Sequence, residues 1–301
     1  MDGKRITRII RVHNISMALG LALFSYSLIS AVMLQNDRFY SSFAFGSFLF
    51  LSFINYRSNG ESAIKFFLFE ASWRATVMFI AISTISFFTV DYYYGVQLSG
   101  MWNWIGYGFI DYVFMFAFMN IAFILSMFEL YRIIFHVLAK HIPDKNVINF
   151  KVNKRIRGIV LTAGIISILL PLYALILRNN NFIEYAMIFP FFGVLFLADY
   201  GSMRMKGDSV LEKIFPLNRL YIFSFILTSL VASTFTEGVN LFGHEWEYLR
   251  MPFMELKIST VPVAVFIGWI PLVLAVISIV NLTKNLEIYA KKSANIPMRK
   301  Y

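Results

Sequence analysis

Eight apolar stretches follow one another along this chain, each about the length that a helix needs to cross a bilayer, and that succession leaves few folds open. A hydrocarbon core takes about 20 residues in helical form, and stretches near this size lie at roughly residues 15–34, 39–56, 75–91, 106–130, 158–177, 182–200, 220–235 and 258–282. Within lipid every backbone polar group must find its partner inside the protein, and continuous apolar runs of this length do so as helices. With 58% hydrophobic and 15% charged residues and a mean hydropathy of +0.66, the chain could not clothe a soluble domain. The expected fold is all-α: a polytopic membrane protein of about eight transmembrane helices.

A net charge of +10 would point to nucleic acid in a soluble protein, but here the cations sit between the apolar runs. Segments 1–14, 57–74, 132–157, 201–219 and 283–301 hold 23 of the 27 Lys and Arg, leaving Arg38, Arg178, Arg250 and Lys257 elsewhere. The positive-inside rule then places both termini in the cytoplasm, with a plasma (inner) membrane as the expected location and no nucleic-acid partner. Lys4-Arg5 ahead of the first stretch reads as a signal anchor, since no small-x-small cleavage site precedes Arg38. Segment 57–74, with Phe66-Phe67-Leu68-Phe69 among charges, either lies along the inner interface or begins the third helix early.

The chain has no cysteine, which excludes disulfides, thiolate metal sites and cysteine nucleophiles. His13, His136 and His141 lie in basic segments and read as solvated. His244-Glu245-Trp246-Glu247 lacks the second histidine of a zinc-protease helix, so no metal site is expected. Glu129 and Asp199, near the inner ends of their spans, have Arg132 and Arg204 nearby as ion-pair partners, and Asn120 near mid-membrane is suited to bridging helices. Pro171, Pro190, Pro262 and Pro271 should kink the later spans.

Self-comparison brings Gly95-Val96-Gln97-Leu98-Ser99-Gly100 onto Gly238-Val239-Asn240-Leu241-Phe242-Gly243. The same offset sets Gln35-Asn36-Asp37-Arg38-Phe39 on Arg178-Asn179-Asn180-Asn181-Phe182 and Ser86 on Ser229. One inserted residue then aligns Trp102, Trp104, Phe109 and Asp111 with Trp246, Tyr248, Phe253 and Glu255. Spans one to four thereby fall on spans five to eight. The expectation is two parallel four-helix repeats, 1–143 and 144–301, forming one membrane domain with a site between the halves.

Each repeat sends a polar, aromatic loop to the outer side, and carboxylates collect there: Asp91, Asp111, Glu237, Glu245, Glu247 and Glu255, with Asp37 and Glu184 nearby. Asp111 and Glu255 would open the fourth and eighth helices. They are explained either by the positive end of a helix dipole or by a cavity between repeats, where a carboxyl withdrawn from water keeps its proton nearer neutrality. Trp102, Trp104, Trp246 and Tyr248 suit an interfacial aromatic belt. Their matched positions also suit a desolvated cation held against ring faces.

The order of an acid, a Trp-x-aromatic loop and Pro-x-x-Glu before the next span resembles the membrane-embedded lycopene cyclase domains and the related carotenoid hydratases. Glu237, Trp246, Tyr248 and Pro252-Phe253-Met254-Glu255 carry the resemblance, with Asp91 or Tyr94, Trp102, Trp104 and Asp111 as first-repeat counterparts. Met254 departs from the family, which has a glutamate there. The resemblance implies acid-catalysed cyclisation or hydration of an isoprenoid or carotenoid-like membrane lipid, with no cofactor. Glu255, Glu237, Asp111 and Asp91 are then the candidate acids, and Trp246, Tyr248, Trp102 and Trp104 the groups that bind substrate and shelter the cation. Two other classes stay open: a small secondary transporter with parallel repeats and a non-catalytic membrane scaffold. The sequence carries no statement of oligomeric state.

Overall fold

The computed structural model describes residues 3–34, 38–143, 152–177 and 180–293, the side chains of 180 and 181 excepted. The expected alignment of 35–37 with 178–181, the acid Asp37 and the basic residues Lys145, Lys151, Arg178, Arg299 and Lys300 therefore lie wholly or partly outside the described residues. The apolar runs form helices α1 (Gly3–Val32) and α2 (Tyr40–Asn59), then a short α3 (Ala63–Lys65) that runs on as one π turn, Phe66–Glu70. Next come α4 (Trp73–Leu98), wound as a π-helix over Phe88–Leu98, and α5 (Phe109–Ala139), which contains the π turn Met115–Met119. The remainder comprises α6 (Lys154–Ile176), α7 (Asn180–Ala186), α8 (Phe189–Arg204), α9 (Val210–Ile214), α10 (Arg219–Gly243) and α11 (Val263–Ser293).

Seven helical bodies are long and apolar enough to cross a membrane: α1, α4, α5, α6, α7 with α8, α10 and α11. The protein is an all-α polytopic membrane protein. The 20-residue α2 has the length of a span, at 1.5 Å rise per residue, but Ser41, Ser42, Ser47, Ser52 and Asn55 dilute its apolar character. It lies between α1 and α5, and Ser52 and Asn55 are fully buried against them, so its polarity faces protein. Several helices run past their expected ends: α1 begins at Gly3, α5 reaches Ala139 and α11 reaches Ser293. Lys and Arg at such ends lay their apolar stems along the helix and keep the charge outward.

Several expectations are corrected. The eighth span does not begin with Ile258, because strands β3 (Lys257–Ile258) and β4 (Val261–Pro262) form a small hairpin first. Glu255 therefore opens no helix, and Pro262 lies in a strand while Pro190 starts α8 rather than kinking it. His13 is not solvated: it is 1% exposed, stacks 3.9 Å from the Tyr56 ring, and its Nε2 meets Ser62 Oγ at 2.7 Å. Glu129 and Asp199 are not ion-paired with their neighbouring arginines. Glu129 accepts from Ser52 Oγ at 2.7 Å, from Asn55 and from the Ala63 N–H, while Arg132 pairs with Glu61. Asp199 accepts from Ser209 Oγ, Ser278 Oγ and the N–H groups of Val210 and Leu211. Each acid thus pins the start of a short helix, α3 or α9, to the long ones. The segment after α2 resolves into that separate short helix, broken from α4 by extended backbone at Ala71.

The helix pairs in contact can be set side by side. The pair α1 and α2 is matched by α6 and α8, α2 and α5 by α8 and α11, α5 and α10 by α11 and α4. At the first crossing, a Cβ on Gly20 would come 2.6 Å from Phe50 N, and one on Gly46 would come 2.5 Å from Phe24 N. Only glycine lets these backbones approach so closely, which is how helices pack where lipid gives no hydrophobic advantage. Gly164 and Gly193 occupy the corresponding crossing of α6 and α8, against Leu197 and Ile168.

Candidate functional site

The loops after α4 and α10 meet as strands. β1 (Trp102–Trp104) pairs antiparallel with β2 (Trp246–Tyr248), in the register Trp102 to Tyr248, Asn103 to Glu247 and Trp104 to Trp246. Alternating side chains leave Trp102, Trp104, Trp246 and Tyr248 on one face, and all four line a cavity of about 330 Å³ beneath the strands. That volume is at the lower end of ligand pockets, which run from roughly 300 to 1,000 Å³. The walls come from α2 (Tyr40), α4 (Asp91), α5 (Asn120, Phe123), α10 (Glu237) and α11 (Trp269). Its lining also includes Tyr185, Phe253 and Ile267, each about half exposed.

Asp91 and Glu237 line this space and are hydrogen-bonded to indoles, while Glu184, also in the lining, pairs with Arg250 at 3.7 Å. Asp91, on the π-wound part of α4, accepts from Trp102 Nε1 at 2.6 Å. Gly95 makes this possible: a Cβ there would collide with the Trp102 ring. Glu237, 2% exposed, accepts from Tyr248 OH at 2.8 Å, Trp269 Nε1 at 3.2 Å and Trp246 Nε1 at 3.4 Å. The strand pairing joins the two acids, because Asp91's partner Trp102 stands opposite Glu237's partner Tyr248. Rings close the rest: Trp104 and Trp246 centroids are 5.0 Å apart, Tyr40 and Trp104 5.2 Å, and Phe123 and Trp269 5.7 Å.

Another acid, outside the cavity lining, holds the roof in place. Glu245 is fully buried, accepts from the Tyr40 N–H at 2.5 Å and from the Tyr107 hydroxyl, and sits beside the Ile105 N–H bond to its own carbonyl, 2.8 Å. Burial raises its carboxyl from 4.5 to about 7, against the lowering effect of the Tyr107 and Tyr40 hydrogen bonds and of Arg38. Asn240 orients the same turn: its Oδ1 accepts from the N–H groups of Glu245 and Trp246 and its Nδ2 donates to Trp246 O.

Of the eight candidates read from the sequence, the fold brings six together: Asp91, Glu237, Trp102, Trp104, Trp246 and Tyr248. Asp111 and Glu255 do not line the cavity. Asp111 accepts from the Gly108 N–H at 2.9 Å and pairs with Arg38 at 3.3 Å, a helix-start role on the surface. Glu255 is exposed in the turn before β3. Tyr40, Asn120, Phe123 and Trp269 were not read as site residues because they come from three spans, α2, α5 and α11, whose packing the sequence does not show. Asn120 alone carried a signal, as a polar residue at mid-span. Among the described residues no group of three or more His, Asp or Glu is placed to hold a metal ion. Comparison with protein-family models, curated proteins and solved structures finds no match to this chain.

Proposed function

We propose that the protein is a membrane-embedded enzyme that protonates a carbon–carbon double bond of an isoprenoid-like lipid and so promotes its cyclisation or hydration. The observation that carries this reading is the placement of two carboxyl groups, the half-buried Asp91 and the buried Glu237, in a mainly apolar, tryptophan-lined cavity whose lining includes the half-exposed Tyr185, Phe253 and Ile267. A lipid chain could slide in from the bilayer with its double bond foremost.

The step balances without an electron donor. The Glu237 carboxyl gives its proton to the terminal alkene carbon, and the three N–H and O–H donors around it stabilise the carboxylate left behind. The positive charge appears on the adjacent substituted carbon, between ring faces whose quadrupoles attract it. An internal double bond then attacks to close a ring and a proton leaves to Asp91, or water adds and its surplus proton leaves to Asp91. The chemistry calls for no cofactor. It is also the activity implied by the likeness to lycopene cyclase domains and carotenoid hydratases, with Glu237 in place of Glu255 as the leading acid.

The same proposal includes the orientation and the duplication. The excess of basic residues in five segments supports termini in the cytoplasm and a β1–β2 roof outside, with a plasma membrane as the proposed location. Three features support two parallel repeats: the glycine crossings Gly20 with Gly46 and Gly164 with Gly193; the short helices begun by Gly60-Glu61-Ser62-Ala63-Ile64 and Gly207-Asp208-Ser209-Val210-Leu211; and a strand register that maps onto itself about Asn103 and Glu247.

The test is lipid and pigment profiling of cells with and without the gene, complemented by wild type, Glu237→Gln or Asp91→Asn. An isoprenoid that changes with the gene, and that neither variant restores although each accumulates in the membrane, is the expected result. An unchanged profile, or full restoration by both variants, rejects the catalytic reading and returns the chain to the transporter and scaffold classes.

A further inference from the structure

Two hydrogen-bond donors in the cavity wall are buried without a protein partner. Asn120 is 3% exposed; its Oδ1 accepts from Tyr40 OH at 2.7 Å, while its Nδ2 bonds nothing. Trp104 is 7% exposed and its Nε1 is likewise unpaired. That indole lies close to Asp91 but outside hydrogen-bonding geometry, and Trp102 supplies the bond that Asp91 accepts. Among the described residues the other unpartnered buried side-chain atoms are the hydroxyls of Ser30, Ser83 and Ser202, none of which lines the cavity. Buried polar groups are almost always paired, so two exceptions in one cavity call for an explanation.

Both donors border Tyr40, which bonds Asn120 through its hydroxyl and meets the Trp104 ring edge-on. Turning the Asn120 amide over would leave the Tyr40 proton without its acceptor, so the amide nitrogen is the atom left for the cavity. An indole N–H can only donate. What completes the pair must therefore bring an acceptor. Asn120 also directly follows the π turn Met115–Met119, and π turns inside helices recur at functional sites.

We infer that the ligand of this cavity is an oxygen-bearing isoprenoid, an alcohol, ketone or ether whose oxygen accepts from Asn120 Nδ2 and Trp104 Nε1, and not a bare hydrocarbon. The isoprenoid part of this statement rests on the function proposed above; the oxygen rests on the two donors alone. The apolar walls take the chain, Asn120 and Trp104 take the oxygen, and Asp91 and Glu237 are left free to act on the double bonds.

The experiment is equilibrium dialysis of radiolabelled farnesol and farnesene, matched in chain length, against the purified protein in detergent micelles with empty micelles as blank. Wild type should bind farnesol about tenfold more tightly than farnesene, the worth of one hydrogen bond to a buried donor. In Asn120→Leu, which leaves the Trp104 donor, that ratio should fall to roughly threefold or less. If Asn120→Leu does not fold, Trp104→Phe carries the test, since it keeps an aromatic ring at that position and removes the N–H donor; its ratio should fall to roughly threefold or less. Equal binding of the two probes by wild type overturns the inference while leaving the cavity an isoprenoid site, and is the result expected if a resident water satisfies both donors. A preference that survives in every variant that folds also overturns it. Binding of neither probe overturns this inference and the isoprenoid reading together. A preference for farnesol that depends on Asn120 or Trp104, with an unchanged cellular lipid profile, upholds the inference and rejects only the catalytic reading.

Discussion

Glu245 joins three pieces of chain: the start of α2 through the Tyr40 N–H, the segment after β1 through Tyr107, and the end of α10 through Asn240. Its carboxyl titrates near 7 in the folded protein against 4.5 ordinarily, so the folded state holds that proton more tightly than the unfolded chain. The resulting stabilisation is complete below about pH 4.5 and is lost as pH rises through about 7. Thermal unfolding in micelles should therefore occur at lower temperature at about pH 8 than at about pH 5, and Glu245→Gln should flatten that dependence. An identical slope in the variant would place the titrating group elsewhere. At the same scale the sequence offered Asp111 and Glu255 on equal terms with Asp91 and Glu237. What separates them is their neighbours: Arg38 and solvent for the first pair, indoles from other segments for the second.

Between elements, the decisive contacts are the glycine crossings. Substituting Gly46 by Val would force α1 and α2 apart, since even a Cβ would come 2.5 Å from Phe24 N. Overpacking of this kind costs about 1–3 kcal/mol or more, and α2 also carries Tyr40 into the cavity and Ser52 and Asn55 to Glu129. Gly46→Val should lower the unfolding temperature and the monodisperse yield on size exclusion, whereas Gly158→Val, where a Cβ meets nothing within 4 Å, should not. Equal behaviour of the two would mean that the α1–α2 contact is looser than described. The helices themselves were legible from apolar run length. Their ends were less so, because basic side chains extend a helix beyond its apolar part, and the hairpin of β3 and β4 replaced the expected start of the last span.

For the whole molecule, the absence of cysteine allows introduced thiols to report on architecture without background. Asn103→Cys with Glu247→Cys should form a disulfide under mild oxidation, because they are direct partners in the β1–β2 register and paired strands hold Cα atoms about 4.5–5.5 Å apart. A membrane-impermeant maleimide should label Glu247→Cys on intact cells and Lys140→Cys only after permeabilisation; the reverse pattern would overturn the proposed orientation. The order and helical nature of the spans were determined by the sequence alone, since a bilayer tests each stretch of chain by length and polarity without reference to the rest. The cavity was decided only by tertiary structure. Asp91 reaches it from a π-wound turn, Glu237 from α10, and Tyr40, Asn120 and Trp269 from three further helices. The positions of these groups depend on where helices cross and how each is rotated, and those follow from contacts between residues far apart in the chain.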